Sequence, residues 1–147
     1  MILQKTVQCP SFFLTNARSI LPKFDDLRLS SMTLHADVLI VTESWLHNDI
    51  DSDLLHLPDY KFFRCDRKQR KGGGVCIWSK TIFRPLALAT VSSVGPCFET
   101  SFVRLACGAL HVICCGIYIP PGLTKSDHDS VNNFLIFEID HLLSLLS

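Results

Sequence analysis

The stretch Asp37-Val-Leu-Ile-Val-Thr-Glu43, followed by Ser44-Trp-Leu46, decides the fold class of this chain. Its centre is a continuous run of apolar, largely β-branched residues rather than an alternation of polar and apolar ones. Such a run is typical of a strand that is covered on both faces. We therefore predict an α/β protein in which helices cover at least one face of the sheet that contains this strand.

Glu43 stands at the C-terminal end of that strand. Proteins of the α/β class place their sites at this rim of the sheet, and a carboxylate oxygen is a ligand that Mg²⁺ prefers. Asn16 ends an earlier predicted strand, residues 11–15, and its amide could ligate a hard metal or hold a carboxylate in place. Both residues also have ordinary interpretations, since a strand-end Glu is often a surface residue and Asn is common in turns.

Strands and helices are predicted around this central strand. Pro22 opens a first helix, and Ser126 with Asp129 predicts the N-terminal cap of a last helix at about residues 127–145. The strand candidates between the helices are residues 60–64, 74–78, 81–91, 98–105 and 110–119, the last being predicted as the most buried. The apolar positions expected to face the core are Phe24, Leu27, Leu29 and Leu34 in the first helix and Val131, Phe134, Leu135, Ile139, Leu142 and Leu146 in the last.

The composition bounds the class of protein. The chain has 147 residues, of which 48% are hydrophobic and 19% charged, which predicts one globular domain and excludes a disordered chain. The most apolar stretch, residues 109–119, is shorter than the about 18–20 residues that a membrane span needs, and residues 1–10 lack the apolar core of a signal peptide. We expect an intracellular protein, the nucleus being one such location, with a leader at residues 1–10 and the domain at residues 11–147.

The cysteines indicate the same kind of compartment. There are seven, an odd count, and no two of them have a CxxC spacing. We predict reduced, buried thiols that pack as small hydrophobes, rather than a disulfide framework or a zinc site.

The net charge of zero hides a positive middle block. Residues 61–104 carry nine basic and two acidic side chains, and the basic residues are densest at positions 61–71. Gly72-Gly-Gly74 follows directly and suits a turn with positive φ. The basic turn at residues 64–71 predicts contacts with nucleic-acid phosphates, although a solvated hairpin tip explains the same charges. The candidate phosphate ligands are Arg64, Arg67, Lys68, Arg70 and Lys71.

Other patterns lack the residues that their chemistry needs. Asp49, Asp51 and Asp53 resemble the start of a calcium loop, but the Gly and Glu required later in that loop are absent. Ser126-Asp-His128 looks like an acid–histidine pair, yet adjacent helical residues do not face each other, so we interpret it as a cap. The histidines show no HxxxH spacing and no serine lies in GxSxG, so a hydrolase triad is unsupported.

Four motifs in sequence order resemble the endonuclease/exonuclease/phosphatase superfamily. They are Asn16-Ala-Arg-Ser19, Thr42-Glu-Ser-Trp-Leu46, Cys65-Asp-Arg67 followed by Gly72-Gly-Gly-Val75, and Tyr118-Ile-Pro-Pro121. Their order and spacing are most similar to the apurinic-type endonuclease domain of LINE-type (non-LTR) retrotransposon proteins, which also carry a reverse transcriptase. The resemblance covers nearly the whole chain.

This resemblance implies a four-layer α/β sandwich, in which two β-sheets pack together with helices outside, and Mg²⁺-dependent hydrolysis of phosphodiesters. By position, Glu43 resembles the family's metal-binding Glu, Asn16 its first-strand Asn, and Tyr118 the Tyr that hydrogen-bonds the phosphate. The metal would neutralise charge on the phosphate in the transition state. In the retrotransposon branch, the enzyme nicks target DNA and leaves a 3′-hydroxyl that primes reverse transcription.

The family's later motifs have no match in this chain. These are Gly-Asp-Phe-Asn, which positions the nucleophile, and a terminal Ser-Asp-His, which binds phosphate; Ser126-Asp-His128 comes too early to be the latter. We therefore expect a domain truncated before its last strands, marginally stable because its sheet edges are open, and inactive alone. The alternatives are a non-catalytic nucleic-acid-binding remnant that uses the basic turn, a relative acting on a phospholipid or small phosphate, and a reading frame without function.

Overall fold

The structure, a computed structural model, describes residues 9–68, 71–88 and 98–144. The strands of the first sheet are β1 (Phe12–Asn16), β2 (Val38–Thr42), β3 (Tyr60–Cys65) and β4 (Val75–Lys80). Their order is β1-β2-β4-β3, and β1 runs parallel to β2 while the other neighbours are antiparallel. The predicted central strand is β2, and all of its residues are buried.

A second, antiparallel sheet packs against the first. Its strands, in spatial order, are β5 (Leu86–Ala87), β6 (Glu99–Cys107) and β7 (Leu110–Tyr118). Val38 and Ile40 of β2 form one core with Val103 and Leu105 of β6. Because successive strand residues point to opposite faces, Leu39 of β2 faces away from the second sheet and belongs to a separate core.

Helices cover the outer faces of both sheets. They are α1 (Phe24–Leu34), on the first sheet, and α2 (Lys125–Ser144), on the second. Phe24 and Leu27 of α1 share one core with Leu39 and Trp78 of the first sheet. On α2, Val131 packs with Phe98 and Leu142 packs with Phe102. The layers are helix, sheet, sheet and helix, so the predicted four-layer α/β sandwich is confirmed.

Gly116 sets the distance between the sheets at the end of the sandwich. A Cβ at this position of β7 would lie 2.7 Å from Val75 Cγ1 and 3.0 Å from Ile40 Cγ2. We expect Gly116→Ala to lower the free energy of unfolding by about 1–3 kcal/mol, as overpacking of a core does. Urea unfolding followed by circular dichroism measures the loss. The control is His111→Ala, at an exposed position of the same strand; a loss no larger than in this control would contradict the close packing.

Some predictions about single elements are wrong. Residues 110–119 do not form the most buried strand, because β7 lies at the edge of its sheet and many of its side chains are exposed or half-buried. The N-cap of α2 is not Ser126: the Thr124 hydroxyl accepts a hydrogen bond from Asp127 N (3.2 Å), and the Asp127 carboxylate accepts one from Thr124 N (2.9 Å). The capping box is therefore real but starts two residues earlier.

Further corrections concern helical content and burial. Within residues 81–91, Thr81–Phe83 form a 3-10 helix and only β5 is extended, while residues 89–91 lie outside the described residues. Three apolar residues predicted to face the core are exposed because their helices turn them to solvent, and Leu146 lies outside the described residues; the exposed ones are Leu29, Leu34 and Ile139. The prediction of buried thiols is confirmed for Cys65, Cys76, Cys107 and Cys114 but is wrong for Cys9 and Cys115, which are exposed, and Cys97 lies outside the described residues. Burial raises the pKa of Cys76 to about 12 and of Cys114 to about 11.

Large apolar side chains remain exposed at β1 and on α2. They are Phe12 and Leu14 on the strand and Ile136, Phe137, Ile139 and Leu143 on the helix. The strand β1 is an edge of the first sheet, so its outer backbone groups have no strand partner in the part of the chain that is described. Among these same residues, no helix has the length and apolar character that crossing a membrane requires.

Candidate functional site

The ends of β1 and β2 bring the two predicted metal ligands together. These strands are parallel and in register, with Asn16 beside Thr42, so Glu43 follows directly at the same sheet edge. The chain after β1 is tied to the chain after β2 by hydrogen bonds from Ser19 N to Glu43 O (2.9 Å) and from Ile20 N to Ser44 O (3.0 Å). Glu43 itself has a left-handed backbone (φ 51°), which is unusual for a residue with a side chain.

The triple glycine forms the third loop of the site. Gly72, Gly73 and Gly74 have φ values of 91°, 70° and 85°, so the prediction of a turn with positive φ is confirmed. Gly73 O accepts a hydrogen bond from Trp45 N (2.9 Å), and Gly74 O accepts one from Ser44 N (3.3 Å). The glycine loop therefore holds the backbone of the two residues that directly follow Glu43.

Tyr118, at the end of β7, reaches Glu43 from the other sheet. Its hydroxyl donates a hydrogen bond of 2.6 Å to Glu43 Oε1. This bond is the main cause that holds the pKa of Glu43 below its usual value, and the Asn16 side chain and the charge of Arg18 act in the same direction. Burial, aided by the neighbouring carboxylate, raises the pKa of Tyr118 to about 12. The structure thus places Asn16, Glu43 and Tyr118 in one cluster, with Glu43 as its anion.

An ion pair that the sequence does not reveal lies directly behind this cluster. Arg67 donates from Nε and from Nη2 (2.9 Å) to the carboxylate of Glu99, whose side chain is only 2% exposed against 10% for Arg67. Glu99 pairs with Tyr118 across β6 and β7, and the Arg67 guanidinium lies 5.6 Å from the centre of the Tyr118 ring. Glu99 also accepts a hydrogen bond from Gly74 N (3.4 Å). The pair therefore joins the glycine loop to the Tyr118 strand.

The predicted phosphate ligands fall into two groups. Arg64 is bound internally, by both oxygens of Asp66 and by His47 O (2.7 Å), and its pKa is raised by the hydrogen bond with Asp66. Arg67 is bound to Glu99. Lys68 and Lys71 are exposed, whereas Arg70 lies outside the described residues. In the described part of the basic turn, these two lysines are the cations most accessible to an external phosphate.

The donor set at this edge suits a hard divalent cation that keeps water ligands. It offers the ionised Glu43 carboxylate and the Asn16 amide oxygen, both of them oxygen donors that Mg²⁺ accepts. The described residues contain no group of three or more His, Cys, Asp and Glu that could hold a metal ion. Because Mg²⁺ is commonly held by one or two carboxylates together with waters and substrate phosphates, this small set fits the ion.

No protein-family model and no curated protein matches the sequence. Solved structures do match the fold. The endonuclease domain of TRAS1, a telomere-specific non-LTR retrotransposon, superposes with a TM-score of 0.58 at 11% identity, over 82% of this chain and 51% of that one. The AP endonuclease LMAP from Leishmania major superposes with a TM-score of 0.62 at 18% identity, over 84% and 47%.

Truncated TDP2 from Caenorhabditis elegans gives a TM-score of 0.54 at 14% identity, over 92% of this chain and 55% of that one. The identities are low, so the likeness is one of fold. The chain spans about half the length of the structures that it matches.

Proposed function

We propose that this chain, which has the fold of the endonuclease/exonuclease/phosphatase superfamily, is the N-terminal part of a Mg²⁺-dependent phosphodiesterase domain that cuts DNA. The observation that carries the proposal is that Asn16, from the first sheet, and Tyr118, from the second, both hydrogen-bond to the carboxylate of Glu43. Retrotransposon origin is supported by the four motifs and by the likeness to the TRAS1 endonuclease domain. Its location would be intracellular, and its partner the phosphate backbone of DNA.

The residues of this chain would each have a separate task. Glu43 and Asn16 would hold the Mg²⁺, which when bound acts as a Lewis acid toward a phosphoryl oxygen. The Tyr118 hydroxyl and the Asn16 amide fix the orientation of the Glu43 carboxylate and keep it ionised at neutral pH. A phosphate that reached this edge would compete with Glu43 for the Tyr118 hydroxyl.

The chain is proposed to be inactive on its own. The resemblance assigns the positioning of the nucleophile and the binding of the phosphate to motifs that have no match here. Removing one member of a catalytic unit commonly removes most of its activity. What remains is the metal-binding and carboxylate-orienting part of the site.

Metal binding tests the role of Glu43. We expect Mn²⁺, an ion with similar oxygen ligands, to bind the folded chain, as measured by water-proton relaxation. Glu43→Gln should weaken binding at least about tenfold, since affinity follows the number of charged ligands. Because the pKa of Glu43 is lowered from 4.5, binding should persist at pH 4.5 and disappear only as the pH falls through the lower value. Asp26→Asn, an exposed carboxylate on α1, is the control, and equal Mn²⁺ affinity in both variants would contradict the site.

Nicking of supercoiled plasmid in Mg²⁺ tests the proposed inactivity. The folded chain should leave the plasmid intact. Nicking that disappears both with EDTA and in Glu43→Gln would overturn the inactivity and identify a complete enzyme.

A non-catalytic nucleic-acid-binding remnant is the second candidate. The exposure of Lys68 and Lys71 favours it, because cations that are free to meet phosphates supply sequence-independent affinity. This function predicts salt-sensitive DNA binding that Glu43→Ala leaves unchanged and that neutralising the two lysines weakens.

A further inference from the structure

A cleft of about 760 Å³ opens next to the glycine loop and the segment 45–47 that follows the Glu43 turn. Its lining includes the apolar Leu21 and Ile50, the aromatic Trp45, and the basic Arg67, Lys68 and Lys71. Clefts of about 300–1,000 Å³ are typical of small-molecule sites. This one has the size for a single nucleotide.

Trp45 has the features of a binding surface rather than of a core residue. It is 36% exposed, whereas Trp78 is fully buried and donates its indole N–H to Leu55 O (2.8 Å). The backbone of Trp45 is held in a left-handed conformation (φ 55°) and bonded to Gly73 O. An exposed large aromatic side chain on a fixed backbone offers a preorganised stacking surface.

The glycine loop keeps this indole accessible. A Cβ at Gly72 would lie 3.6 Å from Trp45 Nε1, so a side chain there would contact the indole and cover part of it. The indole also interacts with the Glu43 carboxylate and contributes to its low pKa. A ligand stacked on Trp45 would therefore lie next to the candidate metal ligand.

Positive charge surrounds the same aromatic ring. Lys71 Nζ lies 5.9 Å from the centre of the Trp45 ring, and Lys68 is exposed on the cleft wall. An exposed cation–π contact contributes only about 0.5–1 kcal/mol, so an incoming base can displace it while the ammonium moves to the attached phosphate. Aromatic faces next to basic side chains are the usual arrangement for single-stranded nucleic acid.

We propose that this cleft binds an unpaired nucleotide of a nucleic-acid strand, with its base stacked on Trp45 and its phosphate held by Lys71 and Lys68. The inference rests on the proposed function and deepens it, because it assigns the subsite that places the strand beside Glu43. The base is bound through its face, so the subsite accepts any of the four bases.

The test compares two oligonucleotides in EDTA by fluorescence anisotropy: a labelled hexathymidylate and an abasic hexamer of the same length, which has the same phosphates but no bases. Stacking on one aromatic side chain contributes about 1–3 kcal/mol per base. Trp45→Ala should therefore weaken hexathymidylate binding about 5- to 150-fold and leave abasic binding unchanged. Trp45→Phe should restore most of the loss, and Lys71→Ala should weaken both oligomers.

Controls match these variants in kind. Lys61 Nζ lies 5.5 Å from the Phe63 ring, away from the cleft lining, so Lys61→Ala removes a similar cation–π contact elsewhere. Phe137→Ala removes an aromatic residue that is 68% exposed on α2. Both should leave the two affinities unchanged, and circular dichroism checks that every variant is folded.

Several outcomes would overturn the subsite. Trp45→Ala without effect on hexathymidylate, or with an equal effect on the abasic hexamer, would show that no base stacks there. Thymidine monophosphate binding as tightly as the hexamer would assign the cleft to a free nucleotide instead of a strand. The oligonucleotide assay contains no metal, so it tests the subsite independently of the metal site. If Mn²⁺ failed to bind at Glu43, the proposed function would be contradicted, but a Trp45-dependent affinity for the hexamer would still support the subsite.

Discussion

Glu99→Ala is expected to lower the free energy of unfolding by about 3–5 kcal/mol, because it leaves a buried guanidinium without its counter-charge. Both side chains of the Arg67–Glu99 pair are nearly inaccessible, and the carboxylate binds two guanidinium nitrogens and the Gly74 N–H. Typical domains have a total stability of about 5–15 kcal/mol, so this variant should lose a large part of it. Urea unfolding at fixed pH measures the loss.

A second ion pair provides the matched control. Asp25 and Arg28 are 3.4 Å apart on α1, with side chains 92% and 49% exposed. Exposed pairs contribute about 0–1 kcal/mol, so Asp25→Ala should leave the unfolding midpoint nearly unchanged. The double variant Arg67→Leu/Glu99→Leu should recover most of the stability that Glu99→Ala loses, because replacing both charges by apolar groups removes the uncompensated one. Equal losses in Glu99→Ala and Asp25→Ala would contradict the role given to the buried pair.

The central strand could be predicted because its amino-acid composition depends directly on whether its two faces are covered. A run without polar residues from Val38 to Val41 requires cover on both faces, and the structure provides α1 on one side and the second sheet on the other. The meeting of Asn16 and Glu43 follows from the parallel pairing of β1 and β2. Tyr118 was assigned to the same site by resemblance alone, since no local pattern connects it with residues 75 positions earlier.

Long-range pairing and sheet position could not be predicted. Glu99 begins strand β6, and nothing in its neighbourhood in the sequence indicates that its partner is Arg67, 32 residues earlier. The charges of the basic turn therefore looked uniformly available, although Arg64 and Arg67 are bound internally. In the same way, the apolar composition of residues 110–119 indicates a strand but does not show that β7 lies at a sheet edge.

Gly74→Ala is expected to destabilise the protein by about 2–6 kcal/mol, the combined cost of a left-handed non-glycine residue and of overpacking. Gly74 has a φ of 85°, and a Cβ there would lie 2.5 Å from Ser44 Oγ. Ser44 is buried and its N–H already donates to Gly74 O (3.3 Å), so it has little room to move. The strain falls on the residue that directly follows Glu43.

The same substitution should therefore reach the metal site. A displaced Ser44 backbone shifts Glu43 away from the Tyr118 hydroxyl, so the Mn²⁺ affinity of the folded Gly74→Ala variant should fall together with its stability. Gly108→Ala separates the two causes, because Gly108 has a φ of 68° but an added Cβ meets no atom within 4 Å. It carries the backbone strain, about 1–3 kcal/mol, without the clash, and should bind Mn²⁺ as the unmodified chain does. Unchanged Mn²⁺ affinity in folded Gly74→Ala would show that the Glu43 turn does not depend on the glycine loop for its position.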